Sequence, residues 1–444
     1  MKIRRDYPVV QSKSKSVSVT VYGGEQNFCE YCTGYRTDGN GNITPSRTFA
    51  KLCTIGNDFD EVYYFPHINN YIGVTENHDV YRVNKLYDIK DNAEFKYAES
   101  FYEYPVSAVE ITHEIDDCPR AVFFGGGKIL TLNMTVQTTT EFGYYIFGTC
   151  LHMGRVFAAD FDDKYKIRWS ETGIFNWKQS ADGSGFVQLN PARGAVHRVF
   201  SLGGKLVAIR DYGIDVISAY GDPRLYAVVR QNNGPNTEPL VFDACAVCGN
   251  KVFFCSQNEI YYYDGNDSVR IDRVKLPPHV KISTIRKLMA FDGRYVMVNC
   301  TNEADGKDWW LEIDISGGTF GFFAQGFRTV LKSKYGYTLW NDGSIYAEAD
   351  KIPDDASGGK KEYDHRYIWR SREIDLGVAN GKTLKSVAFK GSGDLKLCVT
   401  ADGEKRTFDN FGVIPVNLCA RKFVFEMSGC GTPERLECRW EVTQ

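Results

Sequence analysis

The chain has 444 residues and a formal net charge of −3, with 43% hydrophobic and 25% charged residues, which is ordinary for a globular protein. So small a net charge gives no indication of a nucleic-acid or acidic-surface partner held by bulk electrostatics, and it leaves local charged patches open. No apolar run reaches the ~18 residues of a membrane span, and no apolar stretch follows the first basic residues, so we expect neither a span nor a signal peptide.

The first 48 residues predict an arm with one strand. The segment from Ser16 to Tyr22 alternates polar and apolar side chains, a pattern typical of a strand with one buried face. A turn-rich segment follows it. Across the whole chain, 27 Tyr, 28 Phe and 42 Gly favour strands and turns over helices.

Residues 49–350 contain a repeated unit of an apolar strand, a polar turn and a second strand. Consecutive units begin 35 to 50 residues apart, a spacing that includes the range of β-propeller blades, at Asn70, Arg120, Arg155, Lys205, Lys251, Arg294 and Lys334. Several first strands are apolar at consecutive positions, as expected for strands covered on both faces. The pattern predicts an all-β fold with a β-propeller of about seven blades, or six or eight if one unit is split. A row of stacked sandwiches is the alternative.

We predict that the strand at Ser16–Tyr22 completes the last blade and closes the ring, because closure removes free strand edges. Residues 351–364 are rich in Pro, Gly and Ser and are typical of a linker. Residues 365–444 predict a small C-terminal β-sandwich, with strands at Tyr367–Ile374, Thr383–Lys390, Asp394–Thr400, Val416–Glu426 and Arg435–Val442, and a hairpin turn at Asp402-Gly403.

Thirteen Cys in a chain without a secretion signal are expected to be reduced thiols. Two Cys-x-x-Cys pairs, Cys29/Cys32 and Cys245/Cys248, each have the spacing of half a zinc site. Residues three apart on a strand face opposite sides, so Cys245 and Cys248 are not expected to share an ion.

Two further segments only partly match ligand-binding motifs. The run from Asp38 to Asn42 resembles the start of a calcium loop, but Ile43 and Phe49 stand where Gly and Glu are required, so we interpret it as a surface turn. The segment Gly125-Gly-Gly-Lys128 lacks the spacing and the Ser or Thr of a P-loop, and it predicts a hairpin turn.

No catalytic constellation is evident in the sequence. There is no Gly-x-Ser-x-Gly elbow or zincin motif, and seven His occur singly, at positions 67, 78, 113, 152, 197, 279 and 365. We therefore expect no enzyme activity and no catalytic, cofactor or metal residues, although distant residues could still assemble a triad. The pair Trp309–Trp310 could stack on a sugar, but a Trp pair on a strand more often packs a blade.

The middle of the repeat carries a more specific set of residues. These are Arg168-Trp169-Ser170 with Gly173 and Trp177, Leu206-Val207 with Tyr220-Gly221, and Val252-Phe253-Phe254 with Tyr263-Asp264-Gly265. They resemble a family of tailed-phage virion proteins, the β-propeller proteins of the tail nozzle and of packaged-DNA stabilisation at the head–tail connector. The run from Gly24–Asn27 through Gly34 and Gly41 to Arg47 resembles the lead-in segment of such proteins, and Trp369–Gly377 resembles the first strand of their C-terminal sandwich. Separately, Ser170–Trp177 is similar to the structural Asp-box of sialidases, with Thr172 in place of the Asp.

The phage resemblance implies a structural protein and no cofactor. It implies a ring of six copies, in the tail nozzle or head–tail connector, that retains and conducts DNA. The partners would be other copies, neighbouring tail, adaptor or portal proteins, and passing DNA held only by transient, non-specific contact. The location would be the virion, after synthesis in the bacterial cytoplasm. A glycan- or receptor-binding propeller adhesin and, as a third reading, a propeller glycosidase with paired carboxylates remain alternatives.

Overall fold

The structure is a computed structural model. It describes residues 14–443 except 22–28, 34, 38–42, 46, 48, 55–58, 66–69, 78, 84–93, 99–106, 113–118, 126–127, 133–136, 142, 173–176, 178–182, 237, 272–280, 304–305, 317–318, 334, 342, 353–366, 372 and 376–380. Within these ranges the regular structure consists of β-strands and short 3-10 turns, and no helix could cross a membrane.

Four strands precede the repeat: β1 (Ser14–Val21), β2 (Cys29–Thr33), β3 (Tyr35–Thr37) and β4 (Ile43–Pro45). The repeat contains β5 (Phe49–Thr54), β6 (Phe59–Phe65), β7 (Asn70–Thr75), β8 (Val80–Val83), β9 (Glu94–Ala98), β10 (Ser107–Thr112), β11 (Pro119–Gly125), β12 (Lys128–Leu132), β13 (Gln137–Glu141), β14 (Ile146–His152), β15 (Arg155–Asp160), β16 (Lys166–Trp169), β17 (Gly185–Gln188), β18 (Val196–Leu202), β19 (Lys205–Arg210), β20 (Gly213–Ser218), β21 (Ala227–Asn233), β22 (Leu240–Cys248), β23 (Lys251–Ser256), β24 (Ile260–Tyr263), β25 (Ser268–Arg270), β26 (Ile282–Phe291), β27 (Tyr295–Asn302), β28 (Lys307–Asp314), β29 (Thr319–Gln325), β30 (Thr329–Ser333), β31 (Gly336–Asn341) and β32 (Ser344–Glu348).

The last strands are β33 (Tyr367–Ser371), β34 (Lys382–Ser392), β35 (Leu395–Ala401), β36 (Glu404–Phe408), β37 (Gly412–Ala420), β38 (Phe423–Gly429) and β39 (Thr432–Thr443). Two 3-10 turns, Pro191–Arg193 and Pro223–Leu225, lie between strands of the repeat. Each begins with Pro and is capped by the preceding Asn190 or Asp222, whose side chain accepts a hydrogen bond from a backbone N–H of the turn.

Strands β5 to β32 form seven four-stranded antiparallel sheets. Blades 1 to 6 are β6–β9, β10–β13, β14–β17, β18–β21, β22–β25 and β26–β29, each in sequence order, and blade 7 is β30-β31-β32-β5. Hydrophobic cores lie between successive blades, and the cluster that contains Phe59, Val62, Trp340 and Ile345 joins blade 7 to blade 1. The blades therefore form a closed ring, which confirms the all-β propeller and its seven blades.

The strand that closes the ring is not the predicted one. Strand β5 pairs with β32 and completes blade 7. The predicted strand at Ser16–Tyr22 falls within β1 except for Tyr22, which is outside the described residues, and β1 pairs with β39 in the C-terminal domain. Alternating polarity indicates a strand with one covered face. A strand in a sandwich sheet has one covered face, and so does the outer strand of a blade, so the pattern does not distinguish between them.

The C-terminal domain is a two-sheet β-sandwich, as predicted. One sheet has the order β1-β39-β34-β37 and the other β2-β33-β38-β35-β36, and side chains from both sheets form a single core around Trp369, Phe425 and Trp440. The predicted strand Val416–Glu426 is wrong, because β37 and β38 are separated by a turn. The backbone N–H groups of Arg421 and Lys422 in that turn donate to the Asp402 carboxylate.

Short turns fix the registers of the predicted hairpins. Asp402 and Gly403 join β35 to β36 with φ of 44° and 96°, the left-handed conformation that a two-residue hairpin requires. Gly125 and Lys128 pair across the predicted β11–β12 turn, whose two central residues lie outside the described ranges.

The N-terminal segment links the two domains. Strands β1 and β2 belong to the sandwich, and the hairpin of β3 and β4 contacts β29 at the outer edge of blade 6 as well as β33 and β39 of the sandwich. The chain therefore starts in the sandwich, makes the propeller and returns to the sandwich. Most of the predicted linker, 353–364, lies outside the described residues.

Candidate functional site

A cavity of about 260 Å³ lies on the propeller axis. Its walls come from the innermost strands of blades 1 to 6, namely β6, β10, β14, β18, β22 and β26. Two cationic side chains, Arg198 and Lys287, and one carboxylate, Glu61, line it together with aromatic rings such as Phe147 and Phe242. A concave site that combines a few charged groups with aromatic rings is a usual form of a small-molecule site.

Irregularities in the innermost strands determine which side chains face the cavity. The pairing register shifts between Phe59 and Glu61 in β6, between Val196 and Arg198 in β18, and between Ile285 and Lys287 in β26. A bulge bends a strand and redirects side chains. Each of the three charged lining residues is thus the first paired residue after a bulge.

A fourth bulge, in β14, shapes the wall beside them. Gly148 has φ 55°, and a Cβ at this position would lie 2.7 Å from the backbone oxygen of His197 in β18. Next to it, Thr149 Oγ1 lies 2.8 Å from Ser107 Oγ, and the Thr149 N–H donates to the same hydroxyl. Glycine therefore permits the close approach of β14 to β18, and the bulge places Thr149 against β10.

Contacts within the lining hold the polar groups in place. The Tyr63 hydroxyl donates to the Glu61 carboxylate, and the Arg198 guanidinium lies 5.5 Å from the centre of the Phe200 ring. The rings of Phe147 and Phe242 have their centres 5.2 Å apart. Formally the described lining carries two positive charges against one negative charge.

A polar network lies where blades 3 to 5 begin, beside the same rings. His197 Nε2 lies 2.7 Å from Asp211 Oδ1, and the His197 ring is 6.3 Å from that of Phe242. Burial raises the pKa of the Asp211 carboxyl, but hydrogen bonds from His197 and from the Ala195 N–H outweigh burial and hold this pKa below its ordinary value. Asp211 is therefore an anion at neutral pH, and it orients the imidazole.

A Ser–His pair lies at the other end of the same strands. Ser201 Oγ is 2.8 Å from Nδ1 of the buried His152, and burial lowers the pKa of His152. Among the described residues His152 Nε2 has no hydrogen-bond partner, so the pair lacks the carboxylate of a Ser-His-Asp triad. Nothing in the sequence brings together Ser201 and His152, which lie 49 positions apart.

The loop after β20, residues 219–226, exposes apolar side chains and is called the blade-4 loop below. Tyr220 is 69% and Leu225 74% exposed, and Val229 on the adjacent β21 is 65% exposed. The Asp222 side chain accepts hydrogen bonds from the backbone N–H and the guanidinium of Arg224. These hydrogen bonds lower the pKa of the Asp222 carboxyl to about 2. The buried Tyr226 packs on Trp169 of blade 3, with ring centres 5.1 Å apart. The exposed side chains are therefore carried by an ordered loop.

A second exposed apolar surface, the sandwich tip, comprises residues 409–413. Val413 is 75% and Phe411 39% exposed. The tip joins β36 to β37, which are edge strands, whereas the strand of the sandwich that contacts β29 is β2, at the opposite edge of its sheet. The sandwich tip therefore lies at the edge of the sandwich opposite β2.

The thiols and carboxylates of the described residues form no cluster that could hold a metal ion. Cys245 packs in the core between blades 4 and 5 and Cys248 in the core between blades 5 and 6, on opposite faces of β22 as their spacing predicts. Cys29 and Cys32 lie in β2, whose side chains are outside the described structure. The Asp38–Asn42 segment also lies outside the described residues.

The other sequence candidates take structural positions. Trp310 is fully buried and its Nε1 donates to the backbone oxygen of Phe327, while Trp309 packs against the core between blades 5 and 6. Trp177 is buried against Phe124. The Ser170 hydroxyl accepts from the Val156 N–H. Of the seven His, only His152 and His197 lie within the described ranges.

Solved β-propellers resemble this chain in fold. The β-propeller domain of Cps50 (Swd1) from Myceliophteria thermophila is 10% identical, with 67% of this chain and 99% of that chain covered and a TM-score of 0.45. BamB from Moraxella catarrhalis is 11% identical, with 73% and 94% covered and a TM-score of 0.38. The WD40 domain of Pan2 from Neurospora crassa is 8% identical, with 68% and 96% covered and a TM-score of 0.42. At these values the likeness carries no argument about function.

No protein-family model and no curated protein matches the sequence.

Proposed function

We propose that the protein is a structural component of a tailed-phage virion, which assembles with other copies of itself into a ring of the tail nozzle or head–tail connector. The virion assignment rests on the sequence resemblance at Arg168–Trp177, Leu206–Gly221 and Val252–Gly265. The ring assembly rests on one structural observation, namely two separate exposed apolar surfaces on one chain, the blade-4 loop and the sandwich tip.

Two different surfaces are what a ring of identical subunits needs. In a head-to-tail interface one surface of a copy binds the other surface of the next copy, and rotation closes the ring. Leu225 and Val413, at 74% and 75% exposure, are the most exposed large apolar side chains on the two surfaces. Exposed apolar patches are typical of interaction sites. We assign the blade-4 loop of one copy to the sandwich tip of its neighbour.

The proposed DNA path runs between the copies. The axial cavity holds about 260 Å³, far too little for a duplex whose major groove alone is about 12 Å wide. DNA would pass instead through the space that the copies enclose. A net charge of −3 suits such a conduit, since each phosphate held by a Lys or Arg strengthens binding and slows passage.

Assembly is tested with two single variants, Leu225→Glu and Val413→Glu. Each change puts a charge into one surface, so we expect light scattering to find each variant as a monomer at concentrations where the unchanged chain forms rings. In an equimolar mixture, the Val413→Glu variant still has an unchanged blade-4 loop and the Leu225→Glu variant still has an unchanged sandwich tip. These two surfaces can form one interface, so the mixture should give a heterodimer and nothing larger. A mixture that stays monomeric contradicts the head-to-tail pairing, and so do variants that still form rings.

The virion assignment is tested separately. Mass spectrometry of purified phage particles should find the protein in a fixed copy number per particle. Its presence in infected cells together with its absence from particles would contradict the assignment and leave the assembly result standing.

A further inference from the structure

The two faces of the propeller expose different kinds of apolar side chain. Neighbouring strands of a blade are antiparallel, so its first and third connections lie on one face and its second connection on the other. The face with the first and third connections carries the blade-4 loop, and it exposes aliphatic side chains such as Leu151, Met153 and Leu225. On the opposite face the second connections of blades 3 and 4 expose aromatic rings.

Three exposed rings on that opposite face form a surface that is called the aromatic face below. Phe161 follows β15, Tyr212 joins β19 to β20, and Phe242 lies near the start of β22, with exposures of 47%, 40% and 38%. The buried Phe147 ring contacts both Phe161 and Phe242, with ring centres 6.2 and 5.2 Å away. The aromatic face therefore extends from blade 3 to blade 5.

Tyr212 is joined to these rings through β18. His197 Nε2 in β18 lies 2.7 Å from Oδ1 of Asp211, the residue before Tyr212. On its other side the His197 ring lies 6.3 Å from the Phe242 ring. The polar pair of His197 and Asp211 thus connects the Tyr212 turn to the Phe242 ring, and the aromatic face is continuous over blade 4.

The turn that carries Phe161 is ordered by hydrogen bonds. Asp160 Oδ1 accepts from the backbone N–H groups of Asp162 and Asp163, at 3.0 Å each, and the Phe161 N–H donates to the backbone oxygen of Tyr145. An exposed ring on an ordered backbone loses little conformational freedom when it binds a partner. The Phe161 ring is therefore pre-organised for contact with a ligand.

The charges beside the rings balance each other. Residues 160–168 carry three carboxylates and three cationic side chains. Four of them form the ion pairs of Asp160 with Arg168 and of Asp163 with Lys166, and the exposed pair of residues with opposite signs is Asp162 and Lys164. Single-stranded nucleic acids bind where stacking rings line a positively charged groove. A balanced surface therefore favours a neutral ligand over a nucleic acid.

The rings and the polar groups indicate a carbohydrate. A sugar ring has apolar C–H faces, which stack on aromatic side chains, and hydroxyl groups around its edge. Asp162 can accept hydrogen bonds from such hydroxyls and Lys164 can donate to them. We propose that the aromatic face binds a neutral oligosaccharide of hexoses or N-acetylhexosamines, with sugar rings stacked on Phe161 and Tyr212.

This site goes beyond the proposed ring assembly and does not depend on it. The aromatic face and the blade-4 loop lie on opposite faces of the propeller, and the sandwich tip belongs to the other domain. Loss of oligosaccharide binding therefore leaves the proposed function untouched, and a failed assembly test leaves this site untouched.

The test begins with the 444-residue chain on an array of immobilised oligosaccharides. The array carries neutral oligosaccharides of glucose, galactose, mannose and N-acetylglucosamine, with sialylated and sulfated oligosaccharides for comparison. We expect binding to a subset of the neutral probes. The neutral probe that binds best is then titrated by isothermal titration calorimetry, beside an oligothymidylate, at about 50 and 200 mM salt. One site per chain and equal affinity at both salt concentrations are expected, because a neutral ligand releases no counterions.

Substitutions of the rings assign the site. Phe161→Ala and Tyr212→Ala are each expected to weaken binding of that neutral probe about three- to tenfold. Phe161→Tyr keeps a ring and should keep the affinity, whereas Phe161→Leu keeps an apolar side chain without a ring and should lose as much as Phe161→Ala. The matched control is Tyr220→Ala, which removes an exposed ring from the opposite face and should leave binding unchanged.

Three results overturn the proposal. The first is a lack of binding to every neutral oligosaccharide on the array. The second is an oligothymidylate that binds more tightly than the best neutral probe and loses affinity steeply with salt, which would identify a nucleic-acid surface. The third is a Phe161→Leu variant that binds like the unchanged chain, since apolar contact would then replace ring stacking. If Phe161→Ala does not fold, the comparison of Phe161→Tyr with Phe161→Leu still decides the question.

Discussion

Arg210 and Asp215 form an ion pair in which neither side chain is exposed to solvent, with Nη1 2.8 Å from Oδ2. They belong to adjacent strands of blade 4. The Arg210 guanidinium also donates to the backbone oxygens of Asn190 and Gly194, at 2.8 and 2.5 Å, in the segment that joins blades 3 and 4. The pair therefore ties this connecting segment to the interior of blade 4.

Breaking this pair should destabilise the propeller strongly. Asp215→Ala leaves the Arg210 charge buried without its carboxylate, so we expect the free energy of unfolding, measured by urea denaturation, to fall by about 3–5 kcal/mol. Glu426→Ala breaks the exposed pair with Arg370 and should cost about 1 kcal/mol or less. Similar losses in the two variants would contradict a buried ion pair between Arg210 and Asp215.

The bulge in β14 gives a prediction about glycine. Gly148→Ala would place a Cβ 2.7 Å from the His197 oxygen, and we expect a loss of about 1–3 kcal/mol in unfolding free energy. Gly203 has the same φ of 55° and nothing within 4 Å of its Cβ position. Gly203→Ala therefore carries the backbone strain without the clash and should cost less. Equal costs would mean that β14 and β18 are not in close contact at Gly148.

His152 should make stability depend on pH. Burial holds its pKa below the ordinary value of 6.5, so the folded chain binds this proton less readily than the unfolded chain. Its contribution is complete above a pH of about 6.5 and is lost as the pH falls toward the lowered pKa. Urea denaturation at pH 7.5 and 5.5 should therefore show a larger loss for the unchanged chain than for His152→Gln. Parallel losses would contradict a buried, neutral His152.

The blade-4 loop separates stability from assembly. Tyr226 is 8% exposed and packs on Trp169, whereas Leu225 is 74% exposed. Tyr226→Ala should lower the free energy of unfolding by about 3 kcal/mol, and Leu225→Ala should change it by no more than about 0.5 kcal/mol. Both are measured by denaturation of dilute, monomeric protein. A large loss in Leu225→Ala would mean that Leu225 is packed within its own chain.

The sequence predicts the middle of each blade well. In each of the seven predicted units, the predicted first strand coincides with the observed second strand of a blade. The series runs from β7, which begins at Asn70, to β31, which begins at Gly336. These strands are covered on both faces and therefore read as continuous apolar runs, as in the fully buried Arg155–Asp160. Six innermost strands line the axial cavity and five of these carry bulges. Outer strands such as Ala227–Asn233 face solvent, so neither group shows a regular apolar pattern.

The candidate site could not be predicted in the same way. Glu61, Arg198 and Lys287 lie on three blades, and only closure of the ring brings them to one cavity. Bulges leave no fixed pattern in a single sequence, and only Gly148, a glycine inside a strand, is a local signal of one. The prediction of the closing strand is wrong because the alternation in Ser16–Tyr22 indicates one covered face and does not identify the sheet that covers it.

Native mass spectrometry of the unchanged 444-residue chain measures its assembly into a ring. We expect one closed oligomer of defined copy number, six by the resemblance, which does not form when Leu225 or Val413 is replaced by Glu. A chain that remains monomeric at every accessible concentration would contradict it.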